Sequence, residues 1–202
     1  MTIENYLSKL QEGVDEFDPT LPNPYNFRAI TLDPKVTRED RLKTLEQVKK
    51  NKKYFYEADE LIAGWKLVPT WNNISYSIID NGEKVGYISF EIIIPEELKT
   101  GKGFPVFVAT WVPGHNYATR AIMKLVTIKP LSKAKNLMQL AFDVHDKNKA
   151  MLKVLRNLKA TPMMVPVLNG SKDTGKVKHA TLPGTKIRAY LVKKPFWWLQ
   201  GG

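Results

Sequence analysis

The chain has no cysteine among its 202 residues, so neither a disulfide framework nor thiolate chemistry is open to it. Histidine is scarce: the three, His115, His145 and His179, include no pair at the helical spacing of a zinc site, and no metal is expected. No apolar run approaches the roughly 20 residues of a membrane span, so no membrane partner is expected either. There is no Gly-x-Ser-x-Gly elbow and no Walker loop, which argues against a serine hydrolase or a P-loop enzyme. The opening stretch MTIENYLSKL carries acids and no continuous apolar core, unlike a secretory signal. The expected location is the cytoplasm, or a host's cytoplasm if the gene is viral.

What is present is enough hydrophobic sequence, 43% of residues, for one core, and an uneven distribution of charge. Residues 1–118 hold 14 Lys and Arg against 17 Asp and Glu, net −3, while residues 119–202 hold 17 against 3, net +14. A basic C-terminal part can attract nucleic acid, a ribosome, an acidic peptide or a polyanionic cofactor, or it can simply keep the surface solvated. The expected organisation is a lead segment at 1–26, a domain at 27–194 and an aromatic tail at 195–202. In that tail Pro195, Phe196, Trp197, Trp198 and Leu199 call for a covering surface: the domain's own cleft, a second subunit in a homodimer, or another protein.

Periodicity supplies the elements. Pro19, Pro22 and Pro24 forbid a helix through the lead. Residues 27–32 suit a first strand. Thr37 reads as an N-cap before Glu39 and Asp40, with Leu42, Leu45 and Val48 at helical spacing, so one or two helices should fill residues 38–63. Lys49, Lys50, Lys52 and Lys53 read as a solvated face. Residues 74–78 and 85–92 alternate around the turn Asp80-Asn81-Gly82, the pattern of a hairpin. Further strands are expected at 106–112, 138–145, 163–168 and 186–192, with helices after Thr119 and Asn148 and a loop over residues 169–175. Trp65, Trp71 and Trp111 are expected to pack.

The most informative stretch is 111–160. A strand leads into Pro113-Gly114-His115-Asn116-Tyr117-Ala118-Thr119 and then a helix. Such a short turn leaves the helix's first N–H groups free at its positive end, where a pyrophosphate can bind. A second strand then ends on His145, and a second helix opens at Asp146-Lys147-Asn148. This order suggests an acyl-CoA site.

The stretch resembles the GNAT superfamily of N-acyltransferases, in its ribosomal-protein Nα-acetyltransferase-like branch. The family's pyrophosphate turn reads Gln or Arg, two variable residues, Gly, one variable residue, then Gly or Ala. Here Pro113 stands at the first anchor, Asn116 at the Gly and Ala118 at the last, and Tyr117-Ala118-Thr119 matches the branch's continuation. Asn tolerates left-handed backbone angles, so Asn116 can still make the turn. Farther on, His145, Asn148, Ala150 and the pair Val154-Leu155 match the branch, while Met151 and Lys159-Ala160 depart from it.

The resemblance implies an α/β fold: a mixed, mostly antiparallel central sheet flanked by helices. It implies acetyl-CoA or another acyl-CoA as cofactor, held by Val112, Gly114, His115, Asn116, Tyr117, Ala118 and Thr119. Asn148 would hydrogen-bond the pantetheine arm, or else cap its helix. The acceptor would be an amine on a protein, a peptide or a nucleic-acid-associated substrate. Many relatives place a tyrosine acid seven residues past this Asn, where the chain has Leu155. For a base, Glu91 interrupts an apolar strand and could face the cleft or solvent; His145 and His115 are the alternatives. The competing reading is a catalytically degenerate GNAT-like binding protein, phage-encoded, that uses its basic part on nucleic acid or a protein.

Overall fold

The computed structural model describes residues 22–55, 73–91, 103–127 and 139–193. Nine strands are described: β1 (Ile30–Asp33), β2 (Asn73–Asp80), β3 (Glu83–Glu91), β4 (Phe104–Thr110), β5 (Gln139–His145), β6 (Thr161–Pro162), β7 (Met164–Asn169), β8 (Lys172–His179) and β9 (Ile187–Lys193). Seven of them form one sheet in the order β1-β2-β3-β4-β5-β9-β6, and β7 with β8 makes a separate hairpin. The helices are α1 (Arg38–Lys50), α2 (Tyr117–Thr127) and α3 (Lys149–Asn157). Among the described strand pairs only β4 with β5 is parallel, so the expected mixed, mostly antiparallel sheet with flanking helices is what forms. No described helix is long and apolar enough to cross a membrane.

One face of the sheet carries the apolar core. Ile74, Tyr76, Ile78, Ile88, Phe90, Phe104, Leu140, Phe142 and Val144 pack there with Ala121, Ile122, Leu125 and Val126 of α2 and Leu155 and Leu158 at α3. Burial of nearly every residue of α2 makes it the central helix of the fold.

The opposite face is more polar and carries α1. Thr37 closes the expected cap as a full capping box with Asp40. Of the expected Leu42, Leu45, Val48 stripe, Val48 is buried and Leu45 partly so but Leu42 is exposed, and Asp40 and Thr44 join Val48 on the face toward the protein. The reason is electrostatic. Asp40 Oδ2 accepts hydrogen bonds from Thr37 N–H (2.8 Å), Thr37 Oγ1 (2.8 Å), Ser77 Oγ (2.9 Å) and Lys84 Nζ (2.6 Å). Burial pushes its pKa up, but these donors outweigh burial and hold the carboxyl below its ordinary value. A paired buried carboxylate therefore decides which face of α1 meets the sheet.

Other expectations shift locally. Residues 27–32 are not one strand: a 3-10 turn spans Pro24–Ala29, with Tyr25 and Asn26 at positive φ, and β1 starts at Ile30. Phe27 is buried there as a core residue. The strand expected at 106–112 runs from Phe104 to Thr110, leaving Val112 outside it and exposed. Trp111 packs as expected, its Nε1 donating to the Lys84 carbonyl at 2.8 Å. The loop expected at 169–175 is instead a tight turn at Gly170 and Ser171, followed by β8, so Lys176 and Lys178 lie on a strand. The hairpin turn at Asn81-Gly82 has the paired positive φ of 50° and 83° that a two-residue connection requires. Trp65, Trp71, the aromatic tail and residues 56–63 of the expected helical stretch lie outside the described residues.

Candidate active site

β4 and β5 touch at one end and then separate. Their register holds only at Phe104 with Leu140 and Pro105 with Ala141. Gly103 permits that approach, since a Cβ there would meet the Gln139 carbonyl at 2.9 Å. Beyond it, residues 106–110 of β4 and Phe142, Asp143 and Val144 of β5 line opposite sides of a cleft of about 510 Å³.

The same cleft is lined by Gly114, His115, Asn116, Tyr117 and Ala118 at the start of α2 and by Asn148, Met151, Lys153, Val154 and Asn157 of α3. Three consecutive residues, Gly114 (φ 86°), His115 (φ 55°) and Asn116 (φ 53°), adopt left-handed angles. The expectation for Asn116 is met, and His115 joins it. The chain thus turns sharply into α2, whose first intrahelical bond runs from Arg120 N–H to the Asn116 carbonyl at 2.9 Å. The N–H groups of Tyr117, Ala118 and Thr119 precede that bond and have no acceptor within the helix. Together with the helix dipole they form a concave donor site that suits a phosphate.

The turn is fixed from beneath. Arg120 Nη1 and Nη2 donate to the two carboxylate oxygens of Asp80 at 3.3 Å each, and Nε donates to the Asn26 carbonyl at 3.2 Å. The guanidinium also lies 5.4 Å from the Tyr117 ring centroid. Burial raises the Asp80 pKa, but hydrogen bonds from Arg120 and Tyr117 outweigh it and keep the carboxyl below its ordinary value. Tyr117 is therefore a buried packing residue tied to Asp80, with its hydroxyl pKa raised by burial and by that carboxylate. The His115 ring stacks on it, centroids 5.3 Å apart.

Asn148 takes the cap alternative and also stands at the cleft wall. Its Oδ1 accepts from Met151 N–H at 3.1 Å as the N-cap of α3, and the residue lines the cleft. Val112 and Thr119 are not among the lining residues. Thr119 is buried, and its Oγ1 accepts from Asn157 Nδ2 at 3.4 Å, which links the two helices that flank the opening.

The acid–base candidates separate. Glu91 ends β3 as an exposed residue and does not line the cleft. His145, half-buried at the end of β5, accepts Lys147 N–H at Nδ1 (3.1 Å) and rests 5.8 Å from the Tyr54 ring. The same Nδ1 lies 3.1 Å from Asp146 Oδ1, and His145 is not among the residues lining the cleft. Asp143 lines the cleft directly, and burial by the surrounding walls raises its pKa above the ordinary carboxylate value although solvent reaches it. Sequence reasoning passed over Asp143, even though it interrupts an apolar strand just as Glu91 does. It also passed over Lys153, the exposed cation of the lining, and over Tyr54, Phe55 and Phe107, aromatics that only the packing of α1 brings together. The position of the missing tyrosine, Leu155, belongs to the core. No cluster of potential metal ligands occurs among the described residues.

No protein-family model matches the chain, and a comparison with curated proteins found no match. Solved structures do match its fold. A protein assigned as an acetyltransferase aligns over 91% of this chain and 89% of its own, with a TM-score of 0.53 and 16% identity. RimL, a ribosomal L7/L12 α-N-protein acetyltransferase in complex with coenzyme A, aligns over 81% and 93%, with a TM-score of 0.51 and 14% identity. RimJ of Mycobacterium smegmatis, in complex with a CoA disulfide, aligns over 80% and 79%, with a TM-score of 0.50 and 13% identity. The chain has the GNAT acetyltransferase fold.

Proposed function

We propose that the protein is an acyl-CoA-dependent N-acyltransferase that moves an acetyl group from acetyl-CoA to an amine. The observation that carries this reading is the divergence of β4 from β5 toward the left-handed turn at Gly114, His115 and Asn116. One continuous cleft thereby joins a donor site for phosphate to a slot between two strands. The neighbours RimL and RimJ, both in complex with coenzyme A or its disulfide, support the choice of cofactor.

The residues fit such a group. The N–H groups of Tyr117 and Ala118 would hold the pyrophosphate, with Lys153 and His115 adding charge or hydrogen bonds at its edge. Met151, Val154 and Ala150 offer apolar walls for a pantetheine arm, and Asn148 its amide. Acyl-CoA supplies an activated carbonyl whose thiolate can leave. Asp143 is the base: its raised pKa suits it to take the proton that the amine nitrogen loses as the new C–N bond forms. Glu91 and His145 become secondary candidates. With Leu155 buried in the core, the departing sulfur takes its proton from water in the cleft.

Binding is the first test. Isothermal calorimetry should give a dissociation constant for acetyl-CoA between micromolar and a few hundred micromolar, with a matching thermal shift. No heat and no shift at millimolar acetyl-CoA would remove the enzyme reading.

A further inference from the structure

We infer that the acceptor end of the cleft selects a primary amine with a flat apolar group beside it. This inference rests on the acyltransferase reading above. The end in question lies on the α1 face of the sheet, away from the phosphate turn. Asp143, Gln47, Asn51, Tyr54, Phe55 and Phe107 line it.

Its aromatic wall is built in depth. Phe107 packs against Phe55 with centroids 6.1 Å apart and against Tyr87 at 6.2 Å, edge to face. Tyr87 is buried, and its hydroxyl is hydrogen-bonded to Ser75 Oγ at 2.8 Å, which fixes the ring that backs Phe107. The wall is therefore set before any ligand arrives, and a ligand group that fits it loses little freedom of the protein in binding. Aromatic faces accept both apolar surface and the edge of a cation.

Charge limits the choice further. Asp143 is the sole carboxylate among the described lining residues, and the other titratable groups there are Lys153, His115, Tyr54 and Tyr117. An acceptor ammonium can pair with Asp143; it gives its first proton to bulk water to become the neutral nucleophile, and the second passes to Asp143 as the C–N bond forms. The rings and the carboxylate together favour an α-amine on a peptide that begins with a large apolar residue, or a small aryl-alkyl amine.

The test compares acetylation of phenylethylamine, methylamine and spermidine by the full chain, following thiol release from acetyl-CoA. We expect kcat/KM for phenylethylamine to exceed that for methylamine at least tenfold, with spermidine no better than methylamine. In Phe107→Leu, which keeps the apolar volume but removes the ring, the phenylethylamine-to-methylamine ratio should fall roughly three- to tenfold, the range of one aromatic contact. Phe55→Leu provides the same reading should the first variant fold poorly. A preference for spermidine, or a ratio unmoved in both variants, overturns the inference. Saturation-transfer NMR of the three amines, with and without acetyl-CoA, decides the matter even without turnover. Absence of preferential phenylethylamine binding overturns the acceptor inference, whereas absence of acetyl-CoA binding fails the acyltransferase reading instead.

Discussion

Arg120→Met probes whether the phosphate turn is held from the sheet beneath it. Arg120 and Asp80 expose only 7% and 12% of their side chains, and each carboxylate oxygen receives one guanidinium N–H at 3.3 Å. Removing the guanidinium leaves a buried carboxylate with Tyr117 as its remaining donor, and breaking such a pair costs about 3–5 kcal/mol. The contacts are longer than the roughly 2.7–2.9 Å of a tight charged pair, and Tyr117 stays in place, so the low end applies: about 3 kcal/mol at pH 7. The pH dependence gives a second signature. Asp80 sits below its ordinary 3.8 in the folded chain, so the stability it contributes is present above that value and is lost as pH falls through the lowered pKa. In the variant only burial remains to act strongly, and it favours the protonated form. The gap between wild type and variant should therefore narrow from pH 7 to pH 3. Urea unfolding followed by tryptophan fluorescence measures both, and Asp80→Asn combined with Arg120→Met should recover part of the loss. A loss below about 1 kcal/mol at pH 7, the size of a surface ion pair, or a gap that does not narrow in acid, would refute the anchoring argument.

Asp143→Asn should lower turnover about a hundredfold, the low end for a general base, with acetyl-CoA affinity unchanged. Because the Asp143 pKa is raised in the folded state, its ionisation opposes folding as pH rises from 3.8 through the raised value. The variant should then melt at a higher temperature than wild type at pH 7 and show no advantage at pH 3; a variant that is slow and also less stable at pH 7 would contradict this. Asn116→Val places a β-branched residue at φ 53°, a strain of about 1–2 kcal/mol, and should weaken acetyl-CoA binding about tenfold in calorimetry, whereas Asn116→Gly should bind as well or better. Equal affinities for the two would show that the turn does not hold the phosphates.

Features with local causes were legible in the sequence. The Thr37 cap, the Asn81-Gly82 hairpin, the left-handed Asn116 and the cap at Asn148 each follow from one residue's own hydrogen-bonding or steric preference. Features that depend on a partner were not. β8 looks like a loop because its Lys, Asp and Gly residues are depleted in strands, and it forms by pairing with β7. β4 begins two residues early because Gly103 lets it meet β5. The buried face of α1 is set by Ser77 and Lys84, 37 and 44 residues from Asp40. Glu91 and Asp143 carry the same local signal, an acid in an apolar strand. Only the parting of β4 and β5 tells which of them lines the cleft.

The departures from the family pattern fall into two physical kinds. At Pro113 and Asn116 the site asks for a backbone path and for N–H groups from the following helix turn, so side-chain drift there leaves the donor geometry in place. At Leu155 it asks for a side-chain proton, and none is offered, since that position is core. For a lysine-like or aryl-alkyl amine acceptor the second loss is the smaller one energetically, whereas for a peptide α-amine, with a pKa of about 7.7–8.0, the two demands are alike. A thiol has a pKa near 8.5, so releasing it as a thiolate at pH 7 costs only about 2 kcal/mol relative to the protonated product. An aliphatic amine, with a pKa near 10.4 for a lysine-like group, must lose its proton during attack, at about 5 kcal/mol against pH 7. A chain keeping one of the two groups does better to keep the base, and Asp143, within the cleft and raised in pKa, is the residue able to meet the larger demand.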